Sequence, residues 1–296
     1  YRVTALYTEG ESEPSDQATG SIIPPALPAP ILVIDFDGGD MLANGGEDDE
    51  AEFIYNSILT LDIPADSVVY VEEDADLDPY VFENYRLIIV VEGVYPADIF
   101  DDATLQRFID YLGAGGQIYW EGVDFGYNYG SSAASETALD LFDMFGISWD
   151  YDGESADVGN VVYLDGIASF FGAAVHLDYD FQESADHYVD EISSDGAVII
   201  MNSQETAPAP EISTGRVSYN SLASGAKLIF SAVYLGGMHD AEPPSNRLSI
   251  LATYLDTFGI GTSVEFYTVS GSVTLEDTTD YSGVSVSLSQ IGGGYE

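Results

Sequence analysis

Between Ile31 and Phe145 the sequence alternates short apolar runs with amphipathic segments, and this alternation limits the possible fold more than any other feature. The run ILVIDF (31–36) is almost continuously apolar, as expected for a parallel strand that is buried on both faces. Three further runs have the same character: SVVYV (67–71), RLIIVVEG (86–93) and QIYWEG (117–122). Repeated strand–helix units with short links predict an α/β fold, with a parallel sheet covered by helices on both faces.

The segments between these runs have helical spacing. Within residues 101–112 four apolar side chains recur at i, i+3, i+4 and i+7, and Gly113 follows as a stop. Similar patterns predict helices over 47–61 and 135–145. Ser245 is the predicted N-cap of a last helix, which ends at Gly259. Its predicted core-facing residues are Leu248, Leu251, Ala252 and Leu255.

Residues 147–225 are less regular. Strands are predicted at VVYL (161–164), AVIIM (197–201), RVSYN (216–220) and, just beyond, KLIFSAV (227–233). Part of this region is expected to continue the sheet with antiparallel strands.

The charge of the chain excludes several kinds of partner. Six Lys and Arg residues against 52 Asp and Glu residues give a net charge of −46. Such a surface repels phosphate, so we expect neither nucleic acid nor an anionic membrane as a partner. No apolar run is long enough to span a bilayer. Salt, bound divalent cations or a saline habitat could each make the charge tolerable, and the sequence does not distinguish among them. The absence of cysteine excludes disulfides, thiolate metal sites and a cysteine nucleophile.

Both ends of the chain have β-module patterns. YRVTALYTEGESEPSD, at the N-terminus, resembles the last strands of a fibronectin type III domain, and we assign residues 1–21 to this partial module. The Pro-rich segment IIPPALPAP (22–30) is a predicted linker. Residues 261–296 resemble the start of a carboxypeptidase-regulatory-like β domain, with a Gly-x-Val-x-Leu opening and a Ser-Gly-Val-x-Val strand. The partial modules suggest a processed or excised piece of a modular surface protein.

The central domain, residues 31–260, resembles the class I glutamine amidotransferase-like domains of large secreted bacterial proteins. The resemblance rests on the passages ILVIDFDGG, RLIIVVEG, FIDYLGAGGQIYWEG and KLIFSAVYLGG. It implies a three-layer, flavodoxin-like, mostly parallel sheet with helices on both faces, flanked here by partial β-sandwich modules. It also implies an extracellular or cell-surface location.

The resemblance bears on catalysis. Active members of that family carry a cysteine in a Gly-x-Cys-x-Gly turn, where backbone N–H groups face the developing oxyanion. The matching turn here is Gly122-Val123-Asp124-Phe125-Gly126, with Asp124 at the nucleophile position. A family histidine belongs after the late strand, where this chain has His239. The resemblance therefore implies a domain without catalytic activity. The alternative is a hydrolase-related domain of a secreted peptidase-like enzyme, with Asp124, Glu121 and His239 as acid–base groups.

Carboxylates follow several predicted strands, and ligands of open α/β sheets bind beyond the carboxyl ends of the strands. If these side chains converged, a divalent cation such as Ca²⁺ would relieve their repulsion. The other interpretation is that an acidic chain simply places solvated carboxylates in every loop. The candidate ligands are Asp35, Asp37, Asp40, Glu92, Glu121 and Asp124.

The sequence favours a structural or adhesive extracellular component, in which the terminal strands pair with copies of the chain or with adjoining modules of the same polypeptide. Pairing between copies would produce filaments. The enzyme described above is the rival hypothesis. A glycan-binding module is a third possibility, with Tyr127 and Tyr129 as its exposed platform.

Overall fold

A computed structural model describes residues 4–7, 10–11, 30–38, 49–72, 76–93, 99–153, 161–179, 188–205, 213–261 and 285–287. The chain divides into two compact units. One is Leu27–Val264, and the other combines Tyr1–Ala26 with Glu265–Glu296.

In chain order, the described strands are β1 (Thr4–Tyr7), β2 (Gly10–Glu11), β3 (Ile31–Phe36), β4 (Val68–Val71), β5 (Leu87–Glu92), β6 (Ile118–Glu121), β7 (Ile147–Tyr151), β8 (Val161–Gly166), β9 (Val175–Asp178), β10 (Glu191–Ser194), β11 (Val198–Glu205), β12 (Ser213–Ser221), β13 (Lys227–Ser231) and β14 (Ser285–Ser287). The helices are α1 (Glu50–Thr60), α2 (Asp102–Gly113), α3 (Glu136–Met144), α4 (Ala168–Phe171) and α5 (Arg247–Thr257).

The larger unit is built on one mixed sheet with the order β4-β3-β5-β6-β13-β12-β11-β8-β9. The first five of these strands are parallel, and β12 begins an antiparallel extension. The strand β10 pairs with β12 and with β7. The predicted α/β class and the antiparallel continuation of the sheet are therefore confirmed.

Helices cover both faces of the parallel strands, which gives the three predicted layers. One face packs against α1 and α5, through residues such as Ile54, Ile58 and Leu255. The other face packs against α2 and α3, through residues such as Phe108 and Leu141. Alternate residues of each strand enter opposite cores because successive side chains point to opposite faces. None of the described helices combines the length and the apolar character needed to cross a bilayer.

Side-chain caps fix the starts of four helices. Asp49, Asp101, Ser135 and Asn246 accept hydrogen bonds from backbone N–H groups of the first turns of α1, α2, α3 and α5, respectively.

Two predictions for the last helix are wrong. Asn246, and not Ser245, caps α5, because the Ser245 hydroxyl is used elsewhere and accepts the backbone N–H of His176 at 3.0 Å. Leu248 is exposed, since it lies in the first turn on the side that faces away from the core. The strands β7, β9 and β10 lacked a clear sequence signal and were not predicted.

The smaller unit contains strands from both ends of the chain. The strand β1 pairs antiparallel with β2 and with β14, with Ala5 opposite Val286. The terminal segments thus share one three-stranded sheet within a single chain. The assignment of these ends to two known kinds of β module stays a prediction.

Candidate functional site

Those predicted acidic residues that the structure describes lie at the carboxyl edge of the parallel strands, but on different faces of the sheet. Glu121 is two residues after Tyr119, which belongs to the core under α1 and α5. Glu92 is two residues after Val90, which belongs to the core under α2 and α3. Because residues two apart share a face of a strand, Glu121 and Glu92 enter opposite cores.

Glu92 is enclosed by aromatic donors and is only 1% exposed. The Tyr129 hydroxyl donates to its Oε1 at 2.7 Å, and the Trp120 indole Nε1–H donates to its Oε2 at 3.1 Å. Burial raises the pKa of Glu92 to about 8, although both hydrogen bonds act in the opposite direction. Repulsion from Asp124 adds to the increase. Glu92 is therefore mainly protonated at neutral pH.

Glu121 is a second buried carboxyl group, on the opposite face of the sheet. It is fully buried, and the Tyr119 hydroxyl donates a short hydrogen bond to its Oε2. Burial raises the pKa of Glu121 to about 8, and the nearby Asp37 carboxylate adds to this effect. The hydrogen bonds from Tyr119 and from the backbone of Leu235 lower it in part.

The turn that resembles a nucleophile elbow is buried. Asp124 is 2% exposed, and Val123 and Phe125 on either side are fully buried. The backbone N–H of Gly126 donates a short hydrogen bond to the Asp190 carboxylate. The backbone N–H of Asp190 in turn donates to the Val123 carbonyl at 2.9 Å. Burial, followed by repulsion from Asp124, raises the pKa of Asp190 well above its usual value. Sequence reasoning missed Asp190, because it lies far along the chain from this turn.

Three carboxylates do converge at the end of β3. Asp35, Asp37 and Asp49 each offer an oxygen, and these oxygens lie within 4.8 Å of one another. Oxygens bound to one Ca²⁺ at 2.3–2.6 Å can have such separations. Asp35 also accepts a hydrogen bond from the Tyr70 hydroxyl at 2.6 Å. Asp35 and Asp37 were predicted ligands, whereas Asp49, the N-cap of α1, was not.

A glycine allows the chain to pass close to this cluster. A Cβ atom on Gly93, which follows β5, would lie 2.0 Å from the backbone oxygen of Asp37. The loops after β3 and β5 therefore approach each other more closely than any side chain would permit.

The remaining candidate residues are Asp40 and His239. Asp40 lies outside the described residues. His239 is exposed, whereas Glu121 and Asp124 are buried. Its neighbour Asp240 forms an ion pair with Arg247, with Nη2 and Oδ2 2.8 Å apart. The roles of Asp124, Glu121 and His239 in the enzyme alternative stay predictions.

The two tyrosines of the predicted glycan platform have different environments. Tyr127 is 39% exposed, whereas Tyr129 is fully buried and donates to Glu92. Tyr129 therefore belongs to the interior and not to an exposed platform.

The raised pKa values predict an unusual pH dependence. The folded chain keeps protons on Glu92 and Glu121 that the unfolded chain releases above pH 4.5, so stability should fall as pH rises towards 8. The fall should reach at most about 1.4 kcal/mol per pH unit for each group. Thermal unfolding between pH 6 and 9, at constant ionic strength, measures it. Glu92→Gln should reduce the slope, because Gln cannot ionise.

Glu136→Gln is the matched control, because Glu136 is an exposed residue in the first turn of α3. This variant should keep the slope of the parent chain. A parent chain whose stability stays constant or rises over this range, or a Glu92→Gln variant with an unchanged slope, would contradict the assignment.

The cluster at the end of β3 predicts a response to calcium. Ca²⁺ at about 100 times its Kd should raise the free energy of unfolding by about 2.7 kcal/mol. Each kcal/mol raises Tm by about 2–4 °C for a domain of this size. Asp49→Asn should abolish the response while keeping the helix cap, because Asn caps as well as Asp. Asp101→Asn makes the same change at the cap of α2 and should respond to Ca²⁺ as the parent does. Calorimetric scans in CaCl₂ and in NaCl of equal ionic strength measure the shift in Tm. A parent chain whose Tm does not respond to Ca²⁺, or an Asp49→Asn variant that responds as the parent does, would argue against the site.

No protein-family model and no curated protein matches this sequence. Solved structures with a similar fold include a ThuA-like protein from Parabacteroides merdae, 13% identical, which covers 81% of this chain and 93% of its own with a TM-score of 0.48. The N-terminal domain of mmIFT52 is 14% identical over 80% of this chain and 99% of its own, with a TM-score of 0.49. A second ThuA-like protein, from Bacteroides uniformis, is 11% identical over 80% of this chain and 94% of its own, with a TM-score of 0.43. These similarities concern the fold alone.

Proposed function

We propose that this chain is a non-catalytic structural or adhesive component of an extracellular surface protein, and that it assembles through its terminal strands. The observation that carries the proposal is the burial of Asp124, which is 2% exposed within the turn where related domains hold their nucleophile. A side chain that solvent barely reaches is poorly placed to attack a substrate.

The backbone of the same turn supports this proposal. An elbow of this kind stabilises an oxyanion by directing free backbone N–H groups at it. One such donor is the N–H of the residue after the nucleophile, which here is the fully buried Phe125. The next N–H, that of Gly126, donates to Asp190. A Cβ on Gly126 would also lie 2.4 Å from a ring atom of Trp149, so side chains fill the space beside the turn.

The competing proposal is a hydrolase-related enzyme that uses Glu121, Asp124 and His239. Its support is the position of His239 after the late strand β13. General acid–base catalysis requires such groups to reach one substrate. Glu121 is fully buried and His239 is exposed, so the two groups are poorly placed to reach one substrate. This arrangement favours the structural role.

Assembly is supported by the sheet that the two chain ends form. Its strands contain four, two and three residues, and β2 and β14 are its outer strands among the residues described. Sheets this small are marginally stable in water, and an open edge can accept a strand from another copy. A head-to-tail contact of this kind that does not close gives an open filament.

Assembly predicts that the chain forms species larger than a monomer in about 1 M NaCl, where the Debye length is about 3 Å and repulsion between the acidic surfaces is screened. Val286→Lys should reduce assembly, because lysine on an edge strand opposes strand addition. Light scattering during size exclusion, with electron microscopy of the peak fractions, measures the result.

Val198→Lys is the matched control, since Val198 is an exposed valine of β11 in the other unit. It should assemble like the parent. A parent chain that stays a monodisperse monomer at every concentration, or equal assembly of the parent and Val286→Lys, would refute the proposed assembly.

A further inference from the structure

A cavity of about 410 Å³ lies beyond the carboxyl ends of β3 and β4, next to the start of α2. Open α/β sheets bind ligands beyond the carboxyl ends of their strands. The volume is in the range of small-molecule sites in proteins. Position and size therefore suggest a ligand site, and the lining residues indicate its chemistry.

One wall of the cavity is aromatic. Phe36 and Phe100 both line it, and their rings stack with centroids 4.0 Å apart and planes at 13°. Phe36 is only half-buried. The face of an aromatic ring carries partial negative charge and attracts cations, particularly weakly hydrated organic ones.

Acidic residues also line the cavity, together with apolar ones. The backbone N–H of Thr104 holds the pKa of Asp101 below its usual value, so this carboxyl group is ionised at neutral pH. Five of the described lining residues are acidic: Asp35, whose carboxylate accepts the Tyr70 hydroxyl, and Glu72, Asp76, Asp78 and Asp101.

Among the lining residues that the structure describes, Arg107 is the basic one, and its guanidinium already has several contacts. Nη2 donates to the carbonyl oxygens of Leu77 at 3.1 Å and of Tyr80 at 2.5 Å. The guanidinium carbon also lies 4.2 Å from the centre of the Phe82 ring. Nη1 lies 4.0 Å from Oδ1 of Asp78, another lining residue. The guanidinium thus contacts the cavity wall, and the acidic residues of the described lining outnumber this one cation.

We propose that this cavity binds a small organic ammonium ion. The carboxylates attract the positive charge, and the Phe36 ring receives the alkyl groups around it. An anion would be repelled by the carboxylates, and a neutral apolar molecule would gain nothing from them. A hydrated metal ion would make no use of the aromatic wall.

Choline and 3,3-dimethylbutan-1-ol are suitable probes, because they have nearly the same shape and differ in charge. We expect saturation-transfer NMR and calorimetric titration of the full chain to detect choline and to show at least about tenfold weaker binding of the neutral alcohol. Equal binding of the two compounds, or no binding of choline, would overturn the proposal.

Two variants locate the site. Glu72→Gln and Phe36→Leu should each weaken choline binding by about threefold or more, because one removes a carboxylate and the other an aromatic face. Glu136→Gln removes an equivalent charge outside the cavity lining and should bind choline like the parent. A loss of the same size in all three variants would show a general charge effect and would contradict a site in this cavity. Circular dichroism of each variant confirms that it is folded.

Discussion

Carboxyl groups buried at the end of a parallel sheet, each receiving a hydrogen bond from an aromatic side chain, are the constraint on which this structure depends. Tyr129 and Trp120 donate to Glu92, and Tyr119 donates to Glu121. A chain with a net charge of −46 has few cations available to pair with buried carboxylates. Neutral carboxylic acids held by phenol and indole donors avoid the large cost of an unpaired buried charge.

The same packing restricts the chemistry that the domain can perform. Asp124 lies near Glu92 and Asp190, and its charge contributes to the raised pKa of both. Phe125, which follows the nucleophile position and whose N–H an acyl-transfer enzyme would direct at its substrate, is fully buried, and the next N–H, that of Gly126, donates to Asp190. These contacts commit the turn to the interior, which is why the proposed interactions involve the cavity beside Phe36 and the terminal strands instead.

Much of the fold could be predicted from the sequence because the strongest signals are local. The continuous apolar run 31–36 became β3 with the same bounds, and the spacing within 101–112 matched α2 to within one residue. The site was harder to predict, because it depends on which face each residue occupies and on distant contacts. The alternation of side chains along a strand places Glu121 on the same face as Tyr119 and Glu92 on the same face as Val90, and this could have separated the two glutamates. Asp190 gave no local signal, because only the fold brings it to Gly126, 64 residues away.

The protonation state of the two buried glutamates at neutral pH tests the central claim most directly. Infrared difference spectra between the parent and the Glu92→Gln and Glu121→Gln variants, recorded across the pH range, report it through the carboxyl C=O stretch. We expect each difference spectrum to contain a protonated carboxylic acid band at pH 7 that is lost with a midpoint near pH 8. Carboxylate bands alone at pH 7, with titration near the ordinary glutamate value, would contradict this account.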